Sequence, residues 1–195
     1  MNIEIVKYPH PVLKMKCLPL RRFDAELRDA IPEMFRLMYE NNGVGLAANQ
    51  VGLPYRFFIM NPSGKAEEKD KEFLFINPQI LLGSGHPVCG EEGCLSFPKI
   101  YTDVFRAPKV TIRGYDLQGN PVSHTLEGFA ARIVQHEFDH LDGFSFLDRR
   151  AEDVPEVLDA LDEQIRRFRQ DQADGKIPSD AELEKEIQRL LELRT

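Results

Sequence analysis

The strand and helix signals of this sequence agree with an α+β fold. Residues 55–125 alternate apolar, β-prone runs with turn signals, and helix-spaced apolar residues lie before and after them. From Ala151 the character changes to charged, helix-prone sequence. The expected organisation is a domain over residues 1–150 and a helical extension over residues 151–195.

Residues 1–23 read as an extended leading segment punctuated by Pro9, Pro11 and Pro19. Asp24 can cap the first helix, on which Leu27, Ile31, Phe35 and Met38 fall at helical spacing. Pro32 interrupts that pattern, so a kink or a helix start is expected near it, and Asn42-Gly43 supplies the stop. Residues 55–60 and 73–77 have the apolar and aromatic content of buried strands, separated by a charged, exposed turn at 63–72. Residues 109–116 and 121–125 flank Leu117-Gln118-Gly119-Asn120 as a hairpin. A second helix is expected over 126–142, closed by Gly143, and two more over 155–170 and 179–194. Leu158, Leu161, Ile165 and Phe168 share one face of the third, residues 175–178 break it from the last, and Ser179 or Asp180 can cap that one.

A chain of 195 residues can bury a core without disulfide staples. Cys17, Cys89 and Cys94 are too few, and odd in number, for a disulfide framework, so a cytoplasmic home is expected. An organellar one is expected instead if a transit peptide has been removed. The segment from Met1 to Val6 has no basic region followed by an apolar run, so no signal peptide is read there. No stretch approaches the length of a membrane span. The net charge of −7 argues against a broad nucleic-acid surface. Neither membrane nor specific DNA binding is therefore expected.

The strongest chemical signal is His136-Glu137-Phe138-Asp139-His140. Histidines at i and i+4 stand one above the other on a helix, so both imidazoles can reach one metal ion. In the metallohydrolase arrangement the metal makes hydroxide available near neutral pH, and the carboxylate after the first histidine, here Glu137, handles the proton. The preceding apolar run, residues 129–134, points to a helix buried on at least one side. A catalytic metal usually has three protein ligands and one open position. The third is open between a downstream glutamate (Glu152, Glu156 or Glu163) and Cys94, whose thiolate is a soft ligand for zinc or ferrous iron. The small residues of Gly43-Val44-Gly45-Leu46-Ala47-Ala48-Asn49-Gln50 let backbone approach a ligand, and Gln50 offers a neutral donor to an oxyanion.

Taken together, residues 43–50, 92–96 and 135–140 resemble the three signature motifs of the peptide deformylases, in that family's order. Val6-Lys7-Tyr8-Pro9 is similar to its opening, and the resemblance runs from about residue 3 to 148. It implies mostly antiparallel sheets around the histidine-bearing helix. It implies a hydrolase that removes the formyl group from the N-terminal formyl-methionine of nascent polypeptides. Cys94, His136 and His140 would hold one divalent ion, Fe2+ first and Zn2+, Ni2+ or Co2+ as substitutes. Glu137 would be general base and then general acid, and the Gln50 amide and the Leu95 N–H would form the oxyanion hole. Substrate backbone would pair with Val44, Gly45 and Gly93, and Phe129 and Ile133 would wall the methionine slot.

Three positions depart from the family pattern as we read it. His10 follows Tyr-Pro where many members have Asp, Arg132 stands where an apolar pocket residue is frequent, and Tyr101 where many carry arginine. They bear on peptide preference beyond methionine, since none is a metal ligand or Glu137. In some members a C-terminal helix docks on the ribosome, and Arg166, Arg167 and Arg169 form a basic cluster here. Their acidic surroundings favour instead a solvated amphipathic helix packed on the domain or on a second subunit. The competing functional readings are an HExxH peptidase with a downstream glutamate ligand, and a non-catalytic relative that binds formylated peptides or ribosomes.

Overall fold

The computed structural model describes residues 3–195. Met1 and Asn2, the start of the expected domain and of the segment read for a leader, lie outside the described residues. The elements are α1 (Ala25–Glu40), β1 (Gly45–Ala47), β2 (Phe57–Met60), β3 (Phe73–Ser84), β4 (Val88–Cys94), β5 (Phe97–Arg106), β6 (Lys109–Tyr115), β7 (Pro121–Glu127), α2 (Gly128–Leu141), α3 (Pro155–Ala173) and α4 (Asp180–Arg194). Short 3-10 turns join some of them.

Five strands form one antiparallel sheet in the order β1-β2-β3-β6-β7, and β4 and β5 form a separate hairpin. The continuous apolar run of β2 follows from burial on both faces. Phe57 and Ile59 point into a core shared with Leu27, Met34 and Met38 of α1. Phe58 and Met60 point the other way, into a core shared with Ala131, Val134 and Leu141 of α2. The α+β fold with antiparallel sheets is the one expected, and the histidine-bearing helix is held against the sheet by this second core.

Local departures have physical reasons. Asp24 Oδ1 accepts the Leu27 N–H at 3.1 Å, so α1 starts at Ala25 and Pro32 lies inside it rather than opening it. The cap and a buried stripe on both sides of Pro32 offset the missing hydrogen bond. α2 begins at Gly128, not at 126, because Leu126 and Glu127 still pair with β6. Gly128, at φ 58°, makes the turn from strand to helix, a conformation that a side chain disfavours. Neither β4 nor β5 was expected. β5 does alternate, with Ile100, Thr102, Val104 and Arg106 inward. An inward arginine and outward Tyr101 and Phe105 hide that pattern.

Both C-terminal helices pack on the body. Val157 and Leu161 of α3 meet Phe97, Ile100 and Val104. Ile187 of α4 meets Val12 and Leu13, and Leu190 joins the α1 core. The Tyr55 hydroxyl donates to Leu190 O at 2.7 Å, and buried Arg194 donates to Asp24, Glu26 and the Tyr55 oxygen. Among the described residues no helix is long and apolar enough to cross a membrane.

Candidate metal centre and active site

His136 and His140, one turn apart on α2, have ring centroids 5.0 Å apart. Cys94, the last residue of β4, meets them, and one ligand atom from each of the three lies within 4.8 Å of the others. Cys94 Sγ is 3.2 Å from His140 Nε2. His136 Nδ1 lies 2.9 Å from Glu92 Oε2, which directs its Nδ1–H to that carboxylate and leaves Nε2 as the atom that would face an ion. Glu152, Glu156 and Glu163 are exposed, and none of them belongs to the group that Cys94, His136 and His140 form.

The electrostatics suit a cation. Burial opposes charge on His136, yet its hydrogen bonds to Cys94 and Glu92 outweigh it and raise the imidazole well above its ordinary value, so an ion bound here would replace a proton. Burial, followed by the repulsion of His136, holds His140 well below its own. Burial would also raise Glu92, but its bonds to His136 and Arg106 dominate and keep it down at about 2. One thiol and two imidazole nitrogens, aimed at one point beside an ionised carboxylate, fit a divalent ion of borderline softness.

Glu137 sits beside this centre. Its Oε2 is buried with no protein partner. Burial, partly offset by His136, pushes its carboxyl up to about 7. The missing side chain of Gly45 makes this possible, because a Cβ there would collide with Glu137 Oε1. The centre opens into a cavity of about 550 Å³. The structure brings Val44, Gly45, Gly93, Phe129 and Ile133 to its wall, together with Gln50 and Leu95. Gln50 Oε1 accepts the Ala47 N–H at 2.9 Å, which turns its Nε2 toward Cys94 Sγ, 3.2 Å away.

A second layer went unnoticed in the sequence. Arg106, buried between the hairpin and α2, donates to both oxygens of Glu92 at 2.9 and 3.0 Å and to Asp139 at 2.6 Å. Asn49 Nδ2 donates to the His140 carbonyl at 2.6 Å. Arg132, which stands where an apolar pocket residue is frequent, is a polar brace instead. It donates to Glu92 at 2.9 Å and to the carbonyls of Val104 and Val88 at 2.9 and 2.7 Å, tying α2 to the hairpin. Glu92 lies inside the 92–96 motif, but nothing local in the sequence marks Arg106. Of the other departures, Tyr101 lines the cavity, with its ring where a Cβ on Gly93 would fall. His10 accepts the Val12 N–H and takes no part in the site.

Two histidines on one helix, a cysteine from a facing strand and a buried carboxylate beside them define a mononuclear metallohydrolase. The family model described as polypeptide deformylase matches residues 3–156. A peptide deformylase of Rhodopirellula baltica is 45% identical over 94% of this chain and 90% of its own length. The chloroplastic/mitochondrial peptide deformylase 1B of Arabidopsis thaliana is 41% identical over 84% of this chain and 58% of its own. The crystal structure of peptide deformylase from Plasmodium falciparum superposes with a TM-score of 0.81 at 39% identity, covering 85% of this chain and 97% of that one. The chain belongs to the polypeptide deformylase family and is a metal-dependent enzyme.

Proposed function

We propose that this chain hydrolyses the formyl amide of N-formyl-methionyl nascent polypeptides, giving formate and a free N-terminal amine. The observation that carries the reading is the buried, unpartnered Glu137 Oε2 beside Cys94, His136 and His140, at the floor of an open cavity. When bound by those three residues, the ion, Fe2+ first and Zn2+, Ni2+ or Co2+ as substitutes, supplies a Lewis acid that acidifies water and polarises the formyl carbonyl.

Glu137 takes the proton of the attacking water as the new C–O bond forms. It returns that proton to the nitrogen as the C–N bond breaks. A carboxyl near 7 serves both directions. The Gln50 Nε2 and the Leu95 N–H donate to the oxygen on which charge develops. Substrate main chain lies as an added strand between Val44 and Gly45, at the sheet edge, and Gly93 on the hairpin. Phe129 and Ile133 border a slot suited to a long, unbranched methionine side chain.

The test is anaerobic hydrolysis of formyl-Met-Ala-Ser against acetyl-Met-Ala-Ser by metal-loaded protein, following the free amine. Release from the formyl peptide alone is expected, and its loss together with the metal in Cys94→Ser. Activity and metal that survive Cys94→Ser would overturn the assignment. We place the activity in the cytoplasm, or in an organelle should the chain be a processed form. Local pairing argues against ribosome docking through the extension: Arg166 and Arg167 both pair with Glu163, and Arg169 with Asp180.

A further inference from the structure

The turn between β4 and β5 carries Cys94 and the proposed oxyanion donor Leu95, yet its own hairpin gives it little support. A two-stranded sheet is marginal by itself, and the register of this one shifts between Gly93 and Cys94, just before the turn. Besides Gln50 and the arginines that tie the hairpin to α2, two further distant parts of the chain brace it. From the leading segment, Lys7 Nζ donates to Leu95 O at 2.6 Å and the Tyr8 N–H to Ser96 O at 3.0 Å. From α3, the Gln164 amide donates to both Tyr8 O and Ser96 O, at 2.9 and 3.0 Å. The Tyr8 ring stacks on Phe97 at 4.9 Å, and α3 is packed on the same hairpin by Val157 and Leu161. Gln164 lies beyond residues 3–156, the stretch matched by the family model.

We propose that Gln164 and Lys7 are positioning residues for the reaction: the helical extension and the leading segment together clamp the turn at residues 94–96 in the geometry its ligand and its N–H donor require. The proposal rests on the deformylase reading above. Both residues act through backbone carbonyls. One Gln164 amide group bridges Tyr8 O and Ser96 O, alongside the Tyr8 N–H to Ser96 O bond, the Lys7 bond and the Tyr8–Phe97 stack that join the same two segments. Small misplacement of a ligand and an oxyanion donor is costly to a rate and need not weaken substrate binding.

The experiment compares Gln164→Leu, Lys7→Met and Lys7→Arg with wild type in the full chain, measuring metal content, kcat and KM on formyl-Met-Ala-Ser. Arg194→Met, which loosens α4 away from the turn, is the stability control. The expected result is full metal content, a KM within about twofold, and a kcat lowered roughly tenfold in Gln164→Leu and Lys7→Met. Lys7→Arg should recover most of it, and Arg194→Met should lower Tm while leaving kcat in place. In cobalt-loaded protein the sulfur-to-metal charge-transfer band of Cys94 should shift in Gln164→Leu. A kcat within about twofold of wild type together with an unmoved band overturns the clamp. Wild type that releases no amine overturns the deformylase reading instead. The cobalt band then decides the clamp alone, a shift supporting it and an unmoved band removing it.

Discussion

Two regions of this molecule are rich in charge and use it in opposite ways. Around the metal centre the charges are mostly buried and shared: Glu92 accepts from His136, Arg106 and Arg132 at once, and Asp139 from buried Arg106 and half-exposed Arg149. Along α3 and α4 most are exposed and pair along the same helix, at i,i+3 or i,i+4. Buried charges are costly unless every one is matched, so each is fixed by its neighbours, and a fixed group can orient a ligand. Exposed pairs are screened by water and fix little. The comparison locates the chemistry by burial, since both regions are charged.

The largest effect that would sharpen this contrast is at Glu137. Glu137→Gln keeps the shape and removes the proton carrier, and kcat should fall by about 10²–10⁴ with metal content unchanged. Steady-state turnover of the formyl peptide and metal analysis would show it, and a fall of less than tenfold would assign the proton transfer elsewhere. Next is Arg106→Met, which leaves Glu92 and Asp139 buried beside a vacated cation. Removing one partner of such a network costs about 3–5 kcal/mol. The readout is the urea midpoint of unfolding, and a loss below about 1 kcal/mol would mean that these charges behave like surface ones.

The same contrast explains what the sequence made legible. His136, Glu137 and His140 announce themselves because helical spacing is a local property, and Cys94 and Gln50 because each lies in a short motif. By residue type alone the third ligand is open between Cys94 and downstream glutamates; the resemblance names Cys94, and the fold brings β4 across α2 so that Cys94 meets the two histidines. Arg106 and Gln164 are invisible in the sequence. Their partners lie 14 and 33 residues away for Arg106, and 156 and 68 for Gln164. The helices were readable to within a few residues, because caps and apolar stripes are local. The β4–β5 hairpin was missed because its strands carry Gly, Glu, Cys and an inward arginine, where a strand pattern asks for alternating apolar side chains.

A seam between the two regions gives a smaller and pH-dependent effect. His10 caps the turn that α4 packs against, and its Nδ1 must stay unprotonated to accept the Val12 N–H. Burial, opposed by Asp180, lowers it to about 4. The unfolded chain binds that proton below about 6.5 and the folded one only near 4. Stability is therefore complete above the higher value and is lost as pH falls toward the lower. Up to about 3 kcal/mol should go across that window. His10→Asn retains a capping side chain and should flatten the slope of unfolding free energy between pH 6.5 and 4. Equal slopes in the two proteins would remove His10 as the source.

The smallest effect tests the exposed half of the comparison. Arg166 pairs with Glu163 one helical turn away, with side chains 70% and 56% exposed. Holding two long side chains in one geometry costs rotamer freedom, and water at both ends weakens the attraction. The extension is anchored instead by Val157, Leu161, Leu190, Arg194 and Gln164, through contacts in which neither Arg166 nor the Glu163 carboxylate takes part. Arg166→Ala should therefore leave Tm, kcat and the salt dependence of stability as they are in wild type. If it lowers Tm by several degrees in low salt and the loss vanishes in high salt, the exposed pairs stabilise the extension after all. The division between buried charges that orient and exposed charges that merely solvate would then be wrong for this chain.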